Sequence, residues 1–156
     1  MRACLPDGLW RISNYADLLG IGAMEASARW HTAGRPVVYL AENPSSALLE
    51  VFVHLEADED DRPDTYQLLK IEADDGIVHE SVDPSSMSSG WRNNEAETRS
   101  IGDDWLVRGE TALLKVPSAI TPETWNWVLN PRHAQAKNVF IVHREKHPYD
   151  SRLFLG

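Results

Sequence analysis

The sequence has a single cysteine, Cys4, and this scarcity excludes two kinds of architecture. One thiol cannot build a disulfide framework, nor can it supply a metal site that needs several thiolates. We therefore expect a protein of the reducing cytoplasm. The chain also has no apolar run near the roughly 18 residues of a membrane span. Its first eight residues lack the apolar stretch of a secretory signal, so we expect no association with a membrane.

Several familiar catalytic motifs are missing as well. Gly20-Ile21-Gly22 lacks the third glycine and the preceding strand of a dinucleotide-binding fingerprint. Ser118 has no Gly-x-Ser-x-Gly around it. Among six histidines, only His143 and His147 are spaced closely enough to suggest a shared ligand, and we expect no metal site. The sequence thus disfavours a Rossmann oxidoreductase, a serine hydrolase and a zinc protein.

Basic residues are in the minority, with 15 Lys and Arg against 24 Asp and Glu. The net charge of -9 argues against a protein that coats nucleic acid or an anionic membrane. The excess of acidic groups is local. Residues 56–110 hold sixteen acidic and five basic groups, whereas residues 111–156 hold three acidic and six basic groups. An anionic small ligand could therefore be held by the two ends of the chain. The densest acidic run, residues 56–61, predicts an exposed connection.

A chain of 156 residues with 42% apolar content fits one domain, and we assign residues 1–156 to it. Short β-branched and aromatic runs predict strands at the positions given at the end of this paragraph. The last run is wholly apolar, so we expect it at the centre of its sheet. Strands and helices do not alternate regularly, which favours an α+β fold with a mixed or antiparallel sheet. The predicted strands are residues 37–40, 66–73, 77–82, 112–116 and 139–142.

The clearest helix start is Asn43-Pro44, where Asn43 can cap the helix and Pro44 suits its first position. The apolar residues 47–55 continue this helix. Further helices are predicted at residues 15–19, around residues 105–107 and over residues 123–129.

Glu50 interrupts this apolar helix and is the first candidate for chemistry. At about 100° per residue, Glu50 and His54 lie together on a different face from Ala47, Leu48 and Val51. One interpretation is a solvent-facing carboxylate that pairs weakly with His54. The other is a carboxylate that faces a cleft.

Arg11 and Arg29 each neighbour a tryptophan, as Trp10-Arg11 and Arg29-Trp30. Such pairs can be stacked surface residues. Two guanidinium groups in one cleft would instead match a diphosphate, because each presents a planar fork of donors. Tyr39 ends a predicted strand, where it is either a core aromatic with an exposed hydroxyl or part of the same site.

The order of these residues resembles the RES domain, a family named for an arginine, a glutamate and a serine. One departure is His31, where the family suggests a small polar residue such as Asn. The resemblance covers nearly the whole chain and rests on Trp10-Arg11-Ile12-Ser13, Ala28-Arg29-Trp30, Gly34-Arg35-Pro36-Val37-Val38-Tyr39, Ala47-Leu48-Leu49-Glu50-Val51, Ile101-Gly102-Asp103-Asp104-Trp105, Leu114-Lys115-Val116-Pro117-Ser118-Ala119, Leu129-Asn130-Pro131-Arg132-His133 and Tyr149-Asp150-Ser151-Arg152-Leu153.

RES proteins are toxins of bacterial toxin–antitoxin pairs, with a fold similar to the ADP-ribosyltransferases of the diphtheria-toxin kind, and they attack NAD. The resemblance implies NAD as substrate, with no cofactor and no metal. It also implies an Xre-type helix-turn-helix antitoxin that covers the pocket and contacts DNA. We therefore expect no direct binding of nucleic acid by this chain, and a homodimer within the complex is left open.

The resemblance further implies which residues form the site. Arg29, Glu50 and Ser118 would be the residues of the family name, and Arg11 and Tyr39 would share their pocket. Arg11 and Arg29 would bind the diphosphate, Tyr39 would stack on nicotinamide, and Ser118 would orient Glu50 or a ribose hydroxyl. The NAD-binding set implied by the resemblance also includes Asn130.

One carboxylate can suffice for this reaction. Breaking the bond between nicotinamide and ribose builds positive charge on the ribose, and nicotinamide leaves as a neutral molecule without a proton donor. Glu50 would bind a ribose hydroxyl and stabilise that charge. Capture by water gives NAD hydrolysis, which would deplete NAD and arrest growth, whereas capture by a protein side chain gives ADP-ribosylation. A non-catalytic module that binds a partner is the alternative from a different class.

Overall fold

Seven strands form one sheet in the part of the chain that the computed structural model describes, residues 5–55 and 63–154. Their spatial order is β4-β5-β6-β2-β1-β3-β7. Neighbouring strands run antiparallel except β4 and β5, which are parallel, so the sheet is mixed. The strands are β1 Leu9–Ile12, β2 Val38–Ala41, β3 Thr65–Ala73, β4 His79–Ser81, β5 Leu113–Pro117, β6 Trp125–Leu129 and β7 Val139–Pro148.

Three α-helices accompany the sheet within the described residues: α1 Gly22–Glu25, α2 Pro44–His54 and α3 Glu95–Arg108. Helix α2 begins as the sequence predicts, because the side chain of Asn43 accepts a 2.8 Å hydrogen bond from the Ser46 amide and Pro44 occupies the first turn. Helix α3 ends at Gly109, whose φ of 61° is a left-handed conformation that suits glycine. The prediction of an α+β fold with a mixed sheet is confirmed.

Alternate residues of the central strands pack into two different clusters. On β6, Trp127 and Leu129 enter one cluster together with Leu113, whereas Val128 enters the other together with Val116. The second cluster also holds Trp105 of α3, so this helix packs on that side of the sheet. Side chains that alternate between two buried faces explain why β5 and β6 are so apolar.

Three predictions about elements are wrong. Residues 123–129 were expected as helix, but Trp125–Leu129 forms β6, held between β2 and β5. Alternation across two clusters decides this segment, and a short apolar run does not distinguish it from a helix. Residues 15–19 form no helix. Residues 139–142 were expected at the centre of the sheet, yet β7 pairs only with β3 and lies at the edge among the described strands.

The other predicted elements agree with the structure. Residues 37–40, 66–73 and 112–116 correspond to β2, β3 and β5, and β4 lies within residues 77–82. Residues 105–107 fall in α3. The acidic run of residues 56–61 lies outside the described residues, as does Cys4.

Candidate active site

Glu50 lies on α2 and lines a cleft of about 720 Å³. Its Oε1 accepts a 2.8 Å hydrogen bond from Nδ2 of Asn126 on β6 and a 3.3 Å hydrogen bond from Oγ of Ser118. No ion pair joins Glu50 to His54 within the described residues. The carboxylate is therefore oriented by two residues from distant parts of the chain, and its second oxygen is the one left for other contacts.

Ser118 follows β5 directly and is almost completely buried, with 3% of its surface exposed. Its Oγ accepts hydrogen bonds from the amides of Ile120 (3.1 Å) and Thr121 (3.2 Å), which fold the chain into a tight turn. The hydroxyl hydrogen is then directed to Glu50. Ser118 thus acts here as a support for the carboxylate.

Arg11 of β1 enters the same cleft from the sheet. One of its terminal nitrogens, Nη1, donates to the backbone oxygen of Tyr39 at 3.2 Å. Its Nε is buried without a hydrogen-bond partner among the described residues. Burial lowers the pKa of Arg11, since the charged form is poorly solvated. A buried, incompletely paired guanidinium is a strong attractant for an anion.

Arg29, in the segment between α1 and β2, supplies a second positive charge to the cleft. Its Nη1 donates to the backbone oxygen of Arg92 at 2.9 Å, and its Nη2 lies 3.9 Å from Oε1 of Glu95. The Arg29 side chain is 29% exposed, so it remains accessible from the cleft. Arg11 and Arg29 therefore line one cleft together with Arg99, and two guanidinium groups in one cleft suit a diphosphate.

Tyr39 of β2 also lines the cleft. Its hydroxyl accepts a 3.1 Å hydrogen bond from the Trp30 amide and lies 2.7 Å from Nδ1 of His31. Burial raises the pKa of Tyr39 well above its usual range, so the phenol keeps its proton at neutral pH. His31, the residue that departs from the family pattern, is 1% exposed.

Helix α3 holds the backbone on both sides of Arg29. Oγ1 of Thr98 donates to the Arg29 carbonyl at 2.6 Å, and Nε of Arg99 donates to the Ala28 carbonyl at 2.8 Å. Asp103 accepts from both the amide and the hydroxyl of Thr32, at 2.9 and 2.6 Å. These four bonds fix the loop that presents Arg29, and the sequence carried no signal for them because they join residues about 70 positions apart.

Asn130 lies away from these groups. It follows β6 at the end opposite to Asn126, and its Oδ1 caps a local turn by accepting from the Arg132 amide at 3.0 Å. Asn130 does not line the cleft, so the structure does not bring it together with Glu50. The amide that does contact Glu50 is Asn126, which the sequence reasoning missed because it expected a helix there. Assigning Trp125-Asn126-Trp127 to a strand would have drawn attention to this polar residue.

A second hollow, of about 750 Å³, lies at the other end of β1 and β3. Among the residues that the structure describes, its lining includes four carboxylates and no lysine or arginine: Asp7, Glu72, Asp74 and Asp75. This negative lining would repel a diphosphate, whereas the cleft of Arg11 and Arg29 would attract one.

Among residues 5–55 and 63–154, no three His, Cys, Asp or Glu side chains come together as a set of metal ligands. In the same part of the chain, no helix has both the length and the apolar character needed to cross a membrane.

Comparison with known proteins relates the whole fold to one family. Residues 8–150 match the RES domain. A relative named Toxin Res, from Pseudomonas putida, is 48% identical over 146 residues, which cover 94% of this chain and 99% of the relative. A relative named Prs ADP-ribosylating toxin, from Sphingobium sp., is 36% identical over 154 residues, with coverages of 92% and 94%.

A solved structure shares the fold at lower sequence identity. The crystal structure of the M. tuberculosis MbcT–MbcA toxin–antitoxin complex contains a chain that superposes with a TM-score of 0.73 at 14% identity. The match covers 92% of this chain and 85% of that chain. At this identity the likeness establishes the architecture of the sheet and its helices.

Proposed function

The chain belongs to the RES domain family, and we propose that it is the toxin of a toxin–antitoxin pair that cleaves NAD between nicotinamide and ribose. One observation carries this proposal. Glu50, fixed by Asn126 and Ser118, lines the same cleft as Arg11 and Arg29. A carboxylate oriented in the same cleft as Arg11 and Arg29 fits a substrate that has a diphosphate and develops positive charge at one sugar.

The reaction needs little from the protein beyond this arrangement. Nicotinamide takes the electron pair of the breaking bond and leaves as a neutral molecule, and water then adds to the ribose carbon and releases a proton. The free carboxylate oxygen of Glu50 stabilises the ribose cation and binds a ribose hydroxyl. Each 1.36 kcal/mol of such stabilisation increases the rate about tenfold. NAD is the substrate, and no further cofactor takes part.

The two arginines and Tyr39 have binding roles in this proposal. Arg11 and Arg29 bind the diphosphate, and the ring of Tyr39 stacks on nicotinamide. Asn130 stays outside this assignment because its side chain is engaged in a local turn. NAD depletion by this reaction would arrest growth.

ADP-ribosyl transfer is the second candidate for the same site. It is favoured by the name of one relative, Prs ADP-ribosylating toxin, which is 36% identical to this chain. In this reaction a protein side chain replaces water as the acceptor of the ribose cation, so the roles of Glu50, Arg11 and Arg29 are unchanged. The acceptor decides between the two reactions.

The relation to a toxin–antitoxin complex supports a protein partner for this chain. We propose a cognate antitoxin of the Xre type that covers the cleft and brings the DNA-binding region. The toxin would act in the cytoplasm, where NAD is available.

The test is nicotinamide release from NAD by the purified protein, compared with two variants. Glu50→Gln keeps the size of the side chain and removes its charge, and Glu145→Gln is the matched control at an exposed position on β7. We expect release by the wild type and by the control, and a loss of at least a hundredfold in Glu50→Gln. Equal release by all three proteins would overturn the proposed reaction.

Two further measurements separate the alternatives. Labelled NAD is incubated with the purified protein and a cell extract. The label should appear in free ADP-ribose if the reaction is hydrolysis, and in a protein band if it is transfer. Induced expression without an antitoxin should arrest growth for the wild type and not for Glu50→Gln. Arrest by both would favour the non-catalytic binding module.

A further inference from the structure

We infer that His31 is a positioning residue that fixes both the Tyr39 hydroxyl and the turn that presents Arg29. The contacts that carry this inference are present in the free protein. Its consequence for NAD rests on the proposed function. His31 is the position where this chain departs from the pattern that the RES resemblance suggests.

The two ring nitrogens of His31 have different partners. Nε2 lies 2.9 Å from the carbonyl oxygen of Ala23, and Nδ1 lies 2.7 Å from the hydroxyl of Tyr39. A carbonyl oxygen can only accept, so Nε2 must carry a hydrogen. In the neutral imidazole Nδ1 then has a lone pair and accepts the hydrogen of the Tyr39 hydroxyl. The surroundings thus select one tautomer.

The same reasoning fixes the Tyr39 hydroxyl. Its oxygen accepts from the Trp30 amide at 3.1 Å, and its one hydrogen is donated to His31. Burial raises the pKa of Tyr39, which keeps this hydrogen in place. The hydroxyl therefore has no hydrogen left for a ligand, and Tyr39 offers the cleft its ring. The His31 and Tyr39 rings lie 5.7 Å apart at 48°, so His31 also packs against the ring that it holds.

The backbone of His31 acts on Arg29. The His31 carbonyl accepts a 3.1 Å hydrogen bond from the Ala28 amide, which closes a turn with Arg29 and Trp30 at its centre. One buried residue therefore ties together α1, the turn of Arg29 and the β2 residue Tyr39. If the side chain at position 31 no longer reaches Tyr39, the ring of Tyr39 is released and its connection to the turn of Arg29 is weakened.

Two amide substitutions separate the contacts of the ring. The side-chain amide of His31→Asn reaches the place of Nδ1 and can still accept the hydrogen bond from Tyr39. The side-chain amide of His31→Gln reaches the place of Nε2 and can still donate to the Ala23 carbonyl. We expect the KM for NAD to rise roughly three- to tenfold more in His31→Gln than in His31→Asn, with a smaller difference in kcat. Equal KM values for the two variants would overturn the inference.

A double-mutant cycle with Tyr39→Phe tests whether His31 acts through the hydroxyl. Without the hydroxyl, the KM advantage of His31→Asn over His31→Gln should disappear. The difference between their midpoints of urea unfolding should shift in favour of His31→Gln, which alone keeps the contact with the Ala23 carbonyl. A difference between Asn and Gln that is the same in the wild-type and Tyr39→Phe backgrounds would contradict the assignment. The unfolding arm needs no NAD, so it decides the matter even if nicotinamide release were absent.

Nitrogen NMR of the histidine side chains in the wild-type protein provides a direct readout. The His31 ring should show a protonated Nε2 and an unprotonated Nδ1, with the Tyr39 hydroxyl hydrogen coupled to Nδ1. A protonated Nδ1 in the neutral ring would overturn the inference. A failure of the proposed reaction with the expected tautomer present would leave the positioning role intact, so the two failures are distinguishable.

Discussion

The Nδ2 of Asn126 donates a 2.8 Å hydrogen bond to Oε1 of Glu50 across 76 positions of the chain. Because a carboxylate oxygen only accepts, this contact identifies the amide nitrogen and turns the Oδ1 of Asn126 away, where it is buried without a partner among the described residues. The orientation of the carboxylate therefore leaves Oδ1 of Asn126 unpaired among the described residues. Such a cost is typical of a functional site.

Removing the Asn126 amide should reduce turnover. Asn126→Ala leaves Oε1 of Glu50 with the longer contact to Ser118 alone, so the carboxylate can rotate away from the ribose. We expect kcat for nicotinamide release to fall about tenfold to a hundredfold, with KM changed less than about threefold. Asn138→Ala, outside the cleft, is the control and should behave as wild type. Unchanged kcat in Asn126→Ala would show that Glu50 needs no such support.

Ser118→Ala should destabilise the protein as well as the site. The substitution removes the acceptor of the Ile120 and Thr121 amides from the buried position 118. We expect the free energy of unfolding to fall by about 1–3 kcal/mol, measured by urea denaturation. Ser100→Ala, exposed on α3, should stay within about 0.5 kcal/mol of wild type. Equal stability of both variants would contradict the structural role of the hydroxyl.

The diphosphate role of the arginines can be tested with a shortened substrate. Arg11→Lys and Arg29→Lys keep a positive charge but lose the planar fork, so KM for NAD should rise about tenfold. Nicotinamide riboside has no diphosphate, and its kcat/KM should be the same in wild type and variants within about twofold. Arg132→Lys, outside the cleft, is the control for both substrates. An equal loss with both substrates would place the arginines elsewhere on NAD.

Gly102 allows α3 to touch the turn of Arg29. A Cβ at this position would lie 1.7 Å from the Trp30 carbonyl oxygen, a backbone atom that cannot move aside alone. We expect Gly102→Ala to reduce the free energy of unfolding by about 3 kcal/mol and to raise KM, because the turn must shift. Gly22→Ala meets nothing within 4 Å and should change stability by less than about 1 kcal/mol. Equal free energies of unfolding for Gly102→Ala and Gly22→Ala, measured by urea denaturation, would contradict this close approach.

The pair Ser88–Glu97 should contribute to the acid sensitivity of the fold. The Ser88 hydroxyl and amide both donate to the Glu97 carboxylate and hold its pKa below the usual value. A lowered pKa in the folded state stabilises the protein above the unfolded pKa, and that contribution disappears as the pH falls through the folded value. The stabilities of wild type and Glu97→Gln should therefore converge between about pH 5 and pH 3. Parallel stability curves from urea denaturation would contradict this.

Local signals predicted the elements whose cause is local. The cap of α2 depends on Asn43, Pro44 and Ser46, which are neighbours in the sequence, and the structure shows that cap. Segments with two competing local interpretations were assigned less well. The apolar pattern of residues 125–129 is compatible with either a helix or a buried strand. Only the pairing with β2 and β5 selects the strand.

The sequence by itself determined the α+β class, the capped helix that carries Glu50, and the family to which the ordered motifs belong. Tertiary structure decided which polar residues meet. Asn126 contacts Glu50 and Asn130 does not, because residues four positions apart on a strand lie at its two ends, about 13 Å from one another. The contacts of His31, Thr98 and Asp103 likewise depend on where distant segments pack. Hydrogen bonds act over about 3 Å in space, and no spacing along the chain specifies that distance.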